Sequence, residues 1–252
     1  MTRPAPAIRS LAALIWIELL LTTRRAENLL VTIVIPAAVL TFFASSALLP
    51  IPGRAVDVLL PGSIALGIVA TGMVGLGIAT GYERSYGVLK RLGGAPIPRW
   101  TVLAAKMAAV GVVEALQVGL LVGVAAGAFG WRPGPAPIPL VALAGIVLGT
   151  VAFAGLGLAM AGALRAEATL AVANGLFIAT LLVGGIVLPV DHLADPLRSV
   201  VALLPSAPLA EALGIGFGSG PAAGRDAGGP LALLAAWAAG AAALALRAFR
   251  WE

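Results

Sequence analysis

The sequence predicts an all-α polytopic membrane protein with six transmembrane helices. Three observations carry that expectation. Hydrophobic residues make up 60% of the 252 residues, charged residues make up only 11%, and the apolar residues fall into long runs with short polar breaks. Soluble domains carry roughly 25% charged residues, so water cannot solvate most of this chain. The net charge of +5 raises the question of nucleic acid, but the cations are scattered over the breaks between runs. Membrane topology accounts for them better. The absence of cysteine excludes disulfides, thiolate metal sites and cysteine nucleophiles. There is no polar segment long enough to hold a soluble catalytic domain, so residues 1–252 read as one transmembrane domain.

Residues 1–27 are a tail and an interfacial helix. Ile8, Leu11, Ile15 and Leu19 lie on one side of a helix, but Arg9 and Glu18 punctuate the run. It is too short to cross a core about 30 Å thick. Glu18 inside the apolar run argues against a signal peptide. Trp16 suits headgroup depth on the cytoplasmic surface. The first span covers 28–49, with Pro36 as its kink point, and a short turn follows. The second span, 58–80, is rich in small residues, among them Gly62, Gly67, Gly72, Gly75 and Gly77. Glycine lets another backbone come close, which serves packing within the chain or contact with a second copy.

The third span covers 102–129, the fourth 138–164 and the fifth 168–188. Arg165 and Glu167 form a tight polar turn between the last two. Residues 189–229 are the longest loop. Asp195-Pro196 can start a helix, and Leu197, Val200, Val201 and Leu204 follow at helical spacing. Pro205-Ser206 breaks it, and Leu209, Leu213 and Phe217 continue a second apolar stripe. These features predict a helical hairpin that re-enters the membrane from outside, packed against protein. The sixth span, 231–246, is Ala-rich, and Arg247, Arg250 and Trp251 anchor its end. Most cations fall on the side of the basic 81–106 segment, while Arg54, Arg132, Arg198 and Arg225 fall on the other. The basic side is cytoplasmic by the positive-inside rule, so both termini are inside a cell membrane crossed several times.

The 81–106 segment is the densest polar interruption. Arg84, Lys90, Arg91, Arg99 and Lys106 are opposed by Glu83 alone. As one short helix over 82–92, it puts Tyr82, Tyr86 and Leu89 on a single face. Gly93-Gly94 would close it in a left-handed cap, and Pro96 and Pro98 stop it restarting. Charge alone fits a docking element or a topology-setting basic loop. The order Glu83-Arg84, then Gly87, Leu89, Leu92, Pro96 and Lys106 resembles the loop after the second span in the type-2 ABC transporter permeases. There the pattern runs E-R-x-x-G-x-L-x-x-L, then a Pro, then a Lys opening the next span. The family's usual Thr after the Gly is Val88 here.

That resemblance implies a permease subunit of an ATP-driven exporter for an amphipathic small molecule, an antibiotic or a lipid-like substrate. Residues 82–92 would be its coupling helix. Tyr82, Glu83, Arg84, Tyr86, Gly87, Leu89 and Leu92 would engage a separate cytosolic ATP-binding subunit, with Arg165 and Glu167 as a second cytoplasmic contact. ATP and Mg would sit on that partner. Two copies, or one copy and a close homologue, would form the pathway amid membrane lipid. The N-terminal helix would be the connecting helix into the first span, and the hairpin would cap the path externally.

The chain's own chemistry is sparse. No G-x-x-x-x-G-K-[ST] occurs, so it cannot bind ATP in the P-loop manner. Gly214, Gly216, Gly218 and Gly220 lack the strand and helix of a nucleotide loop. His192, the lone histidine, stands with Asp191 and Asp195 but lacks the further ligands a metal needs. Glu114 and Gln117 lie at i and i+3 near the middle of the third span, and Asn174 lies in the fifth. A carboxylate at bilayer centre costs about 2.5–3.5 kcal/mol. These three residues either line a substrate path or bond between helices. The competing class is a self-sufficient channel or ion-coupled carrier, for which Glu114 is nearly the only coupling group. No nucleophile–base pair supports an intramembrane enzyme.

Overall fold

The computed structural model describes residues 7–24, 26–46, 53–94, 97–184 and 195–249, and all its regular structure is helical. His192, Asp191, Pro96, Arg250, Trp251 and the first residues of the expected hairpin lie outside the described residues. The helices are α1 (Ala7–Arg24), α2 (Ala26–Ser45), α3 (Ala55–Ser85), α4 (Val88–Gly93), α5 (Arg99–Phe129) and α6 (Pro139–Ala163). They continue with α7 (Ala166–Val183), α8 (Asp195–Val201), α9 (Ser206–Phe217) and α10 (Gly228–Ala248). Among the described residues, α3, α5, α6 and α10 are long and apolar enough to cross a membrane. The bent pair α8–α9 makes a fifth candidate if it counts as one broken span. The expected first and fifth spans correspond to α2, of 20 residues, and α7, of 18.

α3 is the centre of the bundle and is buried along nearly its whole length. In lipid, apolar side chains gain little by meeting one another, so helices are held by close packing and by polar bonds. Both devices are present. A Cβ on Gly72 would lie 3.0 Å from the backbone nitrogen of Ala154, and one on Gly77 would lie 3.0 Å from Gly157 Cα. A Cβ on Gly155 would meet the Ala241 backbone at 2.8 Å, which puts α6 directly on α10. Gly72 and Gly77 of α3 therefore serve packing within the chain.

The polar bonds follow from two prolines. Proline has no N–H, so the carbonyl four residues earlier in a helix loses its donor. Pro36 lies inside α2 and orphans Thr32; Gln117 of α5 donates its Nε2 to that carbonyl at 2.5 Å. Pro61 lies inside α3 and orphans Asp57; Ser219 donates its Oγ to that carbonyl at 3.2 Å. An unmet carbonyl in a bilayer costs several kcal/mol, so each proline fixes where a distant element must dock.

α8 starts at Asp195, and α9 follows after a 78° bend at Pro205. Leu209 and Leu213 are fully buried, against Gly149 and its neighbours on α6 and against α3. Irregular backbone around them is tied down: Gly134 N–H donates to Phe217 O at 2.9 Å and Ile138 N–H to Gly216 O at 2.8 Å. Trp131 meets the Phe217 ring edge-on at 5.5 Å.

One local expectation is overturned. α3 does not stop near Thr80 but runs to Ser85, and residues 82–92 are not a single helix. Gly87, at φ +71°, is left-handed and turns the chain into the separate helix α4. The left-handed residue is therefore Gly87, whereas Gly94 has φ −76°. Only glycine takes that region without cost, and the turn removes Leu89 from the Tyr82–Tyr86 face.

Candidate functional site

The conspicuous cluster gathers where α3 ends. Lys106, 1% exposed, places Nζ 2.6 Å from Glu83 Oε2 and 2.7 Å from Glu18 Oε1. A buried ammonium needs opposite charge within reach, and here it comes from both α1 and α3. Glu83 and Lys106, 23 residues apart, are the two ends of the sequence pattern, and the fold bonds them directly. Glu18 completes the triad. Sequence reasoning noticed it only as an interruption in an apolar run. The signal was available, since a carboxylate on the side of a helix shared by Leu11, Leu14 and Ile15 should meet a cation. A cavity of about 60 Å³ lined by Glu18, Thr22, Thr32, Thr71 and Lys106 opens beside the triad.

Arg84, next to Glu83, reaches the other way. Its guanidinium donates to Gly162 O at 2.6 Å and also to Leu164 O. These are carbonyls at the C-terminus of α6, where the helix dipole favours a cation. Arg54 does the same at the opposite end of the bundle, donating to Phe129 O at 2.8 Å and Gly130 O at 3.0 Å at the end of α5. Arg84 thus joins the 82–92 segment to the turn that carries Arg165 and Glu167, both exposed. A Cβ on Gly81 would touch Ala166 Cα at 3.6 Å, so α3 also packs on the start of α7.

The expected coupling residues therefore divide. Leu89 is 1% exposed and packs among Leu14, Leu76, Val102 and Leu103, with Leu92 half-buried against the same cluster. Glu83 and Arg84 are bonded inward. Tyr86 is 74% exposed and stacks on Tyr82 at 6.0 Å. Val88, Lys90 and Arg91 are exposed beside it. The outcome is a ledge whose outer face is Tyr86, Val88, Lys90 and Arg91 and whose inner face is locked to α1, α5 and α6.

Glu114 is fully buried. It accepts a hydrogen bond from Thr150 Oγ1, and among the described residues its Oε1 has no partner. Thr150 also lies 2.8 Å from Ile146 O. Gln117 sits one turn on, with Thr71 Oγ1 donating to its Oε1 at 3.4 Å while Nε2 holds Thr32 O. Gly67 leaves room for that amide, because a Cβ there would collide with it. Thr71 lies in a π-helical stretch of α3, Val69–Gly75. Such stretches often mark functional sites. Glu114 and Gln117 are enclosed by helices of the same chain, whereas Asn174 is exposed on α7. The fold does not bring Asn174 to the other two.

Among the described residues no group of His, Cys, Asp and Glu has the arrangement of a metal site. The family model described as ABC-2 type transporter matches residues 9–217, from within α1 to the end of α9. No curated protein matches the chain.

Proposed function

The chain belongs to the ABC-2 type transporter family, and we propose that it is the permease subunit of an ATP-driven exporter. Its family makes it a multi-pass membrane transport subunit rather than a catalyst in itself. The observation that carries the finer reading is the Tyr86–Arg91 ledge. A surface that takes up force from a partner needs an exposed, well-packed outer face and a rigid connection inward. Tyr86 and Val88 supply apolar contact there, and Lys90 and Arg91 supply charge. Motion of the ledge passes through Glu83–Lys106 to α5, through Lys106–Glu18 to α1, and through Arg84 to the end of α6.

In this reading α2, α3, α5, α6, α7 and α10 cross the membrane and the α8–α9 pair re-enters from the outer side. Lys90, Arg91, Arg99, Arg165 and Arg247 make the ledge end cytoplasmic, with both termini inside. A cytosolic subunit binds ATP and Mg and hydrolyses the nucleotide. A second copy or a close homologue completes the pathway. The sparse polar lining suits an amphipathic small molecule, an antibiotic or a lipid-like substrate.

The test is association with the ATP-binding subunit. An exposed tyrosine at the centre of an interface contributes about 2 kcal/mol or more, so Tyr86→Ala should weaken association roughly 30-fold while the chain still inserts and folds. Leu89→Ala should lower stability instead. Normal association and coupled hydrolysis in Tyr86→Ala would remove the ledge from this role. The second reading, a carrier coupled to an ion, rests on the enclosed carboxylate of Glu114. Transport without any ATP-binding subunit would favour it.

A further inference from the structure

Glu114 on α5 is a carboxyl to which the fold gives neither water nor a cation. It is fully buried, and among the described residues its Oε1 has no hydrogen-bond partner. α5 packs on α1, α2, α3 and α6, and none of them brings a positive charge to the level of Glu114. α6 contains no ionisable residue, α3 contains none from Val58 to Gly81, and α2 contains none from Thr32 to Ser45. α1 carries its Glu18 to Lys106, and its Arg9 and Arg24 are exposed. On α5 itself the nearest charge is Lys106, about 12 Å away along the helix axis. That ammonium is already shared by Glu83 at 2.6 Å and Glu18 at 2.7 Å.

Thr150 on α6 shows what the carboxyl can hold. Its Oγ1 touches two acceptors, Glu114 Oε2 and, at 2.8 Å, Ile146 O. A hydroxyl has one hydrogen to give. With Glu114 ionised, that hydrogen goes to Oε2, and Thr150 faces Ile146 O with no hydrogen between the two oxygens. The negative charge then sits away from water with a single hydrogen bond to it. With a proton on Oε2, Glu114 donates to Thr150 and Thr150 donates to Ile146 O, so both contacts become hydrogen bonds. Oε1 is then a neutral carbonyl oxygen, and leaving that unmet costs far less than leaving a carboxylate unmet. No larger ligand fits: Glu114 lines neither the cavity of about 60 Å³ beside the triad nor that of about 220 Å³ at the hairpin.

We propose that Glu114 is a proton-binding site that latches α5 to α6. A proton taken from water bonds to Oε2, and Oε2 then donates to Thr150 where the ionised form accepted from it. Ionisation reverses the step and returns the proton to water. A carboxylate needs water or a cation around it, and water reaches Glu114 only when α5 and α6 part. Parting the two helices therefore releases one proton, and closing them takes it back. The latch holds whether or not an ATP-binding subunit drives transport, so it rests on neither reading of the function.

The test uses the full chain purified in detergent at neutral pH. Its infrared spectrum should contain the C=O stretch of a neutral carboxylic acid, and carbon-13 labelling of the glutamate carboxyls should move that band. Absence of the band from wild type overturns the proposal without recourse to any variant. Glu114→Gln, nearly isosteric, should remove the band, and Glu211→Gln should keep it. Thr150→Val takes away the acceptor and should leave the band at higher frequency. A band that survives Glu114→Gln overturns the assignment. The latch is read by amide hydrogen exchange over residues 139–150, with wild type and Glu114→Gln compared at the same pH. Glu114→Gln cannot ionise, so the ratio of wild-type to variant exchange should rise about tenfold per pH unit while the closed site keeps its proton. A ratio that stays constant with pH overturns the latch.

Discussion

Gln117→Leu tests the physical logic of the bundle most sharply. The carbonyl of Thr32 is buried, and Pro36 cannot supply its helical donor. The Gln117 amide at 2.5 Å takes that place. Removing it takes the Gln117 donor from a buried acceptor, at a cost of about 1–3 kcal/mol. For a chain of this size, each kcal/mol moves the unfolding midpoint by roughly 2–4 °C, so Gln117→Leu should lower it by roughly 2–12 °C. Pro36→Ala restores an N–H at the position the helix itself would use. In that background Thr32 keeps a donor, and Gln117→Leu should cost at least about 1 kcal/mol less. Four proteins, measured by thermal unfolding in one detergent, make a double-mutant cycle. Distant independent sites add to within about 0.3–0.5 kcal/mol. Additivity within that margin would refute the assignment of Gln117 to the proline gap and return it to the candidates for pathway lining.

Other substitutions bear on neighbouring parts of the account. Lys106→Met takes the ammonium away from the half-buried Glu18 and the buried Glu83 and should destabilise by about 3–5 kcal/mol, whereas Glu18→Gln/Glu83→Gln/Lys106→Met should recover most of the loss in the same melt. Gly87→Ala meets no atom within 4 Å but must hold φ +71°, so a cost of about 1–2 kcal/mol with normal membrane insertion is expected in thermal unfolding. For orientation, single cysteines at the exposed positions Arg132 and Ala223 should react with an impermeant reagent in intact cells, while those at Ser85 and Gly94 should not. The reverse pattern would invert the proposed topology.

Much of the bundle could be read from patterning alone, because a helix in lipid must satisfy its backbone internally and so announces itself by length and apolarity. The two helices α8 and α9 and the bend between them were legible too, since Asp195-Pro196 falls at the helix start and Pro205 at the bend. The ledge was legible only in part. Period 3.6 places Leu89 with Tyr82 and Tyr86 provided that the helix is continuous, and Gly87 breaks that continuity. Glu83 and Lys106 were noticed as members of a pattern, but a pattern in one dimension does not say that they touch. Pro36 and Pro61 were legible as prolines, and counting back four residues names Thr32 and Asp57 as carbonyls in need of donors. Their donors, Gln117 and Ser219, come from 85 and 162 residues away. Such pairings depend on the three-dimensional path and leave no local trace.

The central claim is that force enters this permease through the ledge at Tyr86. It is tested most directly by purifying the chain from membranes together with the proposed ATP-binding subunit and measuring the ATP hydrolysis recovered per chain. Wild type should retain a hydrolysing subunit, and Tyr86→Ala should lower the recovered hydrolysis at least about tenfold with the same amount of chain inserted. If wild type retains no ATP-binding subunit, or if Tyr86→Ala retains as much hydrolysis as wild type, the claim is contradicted.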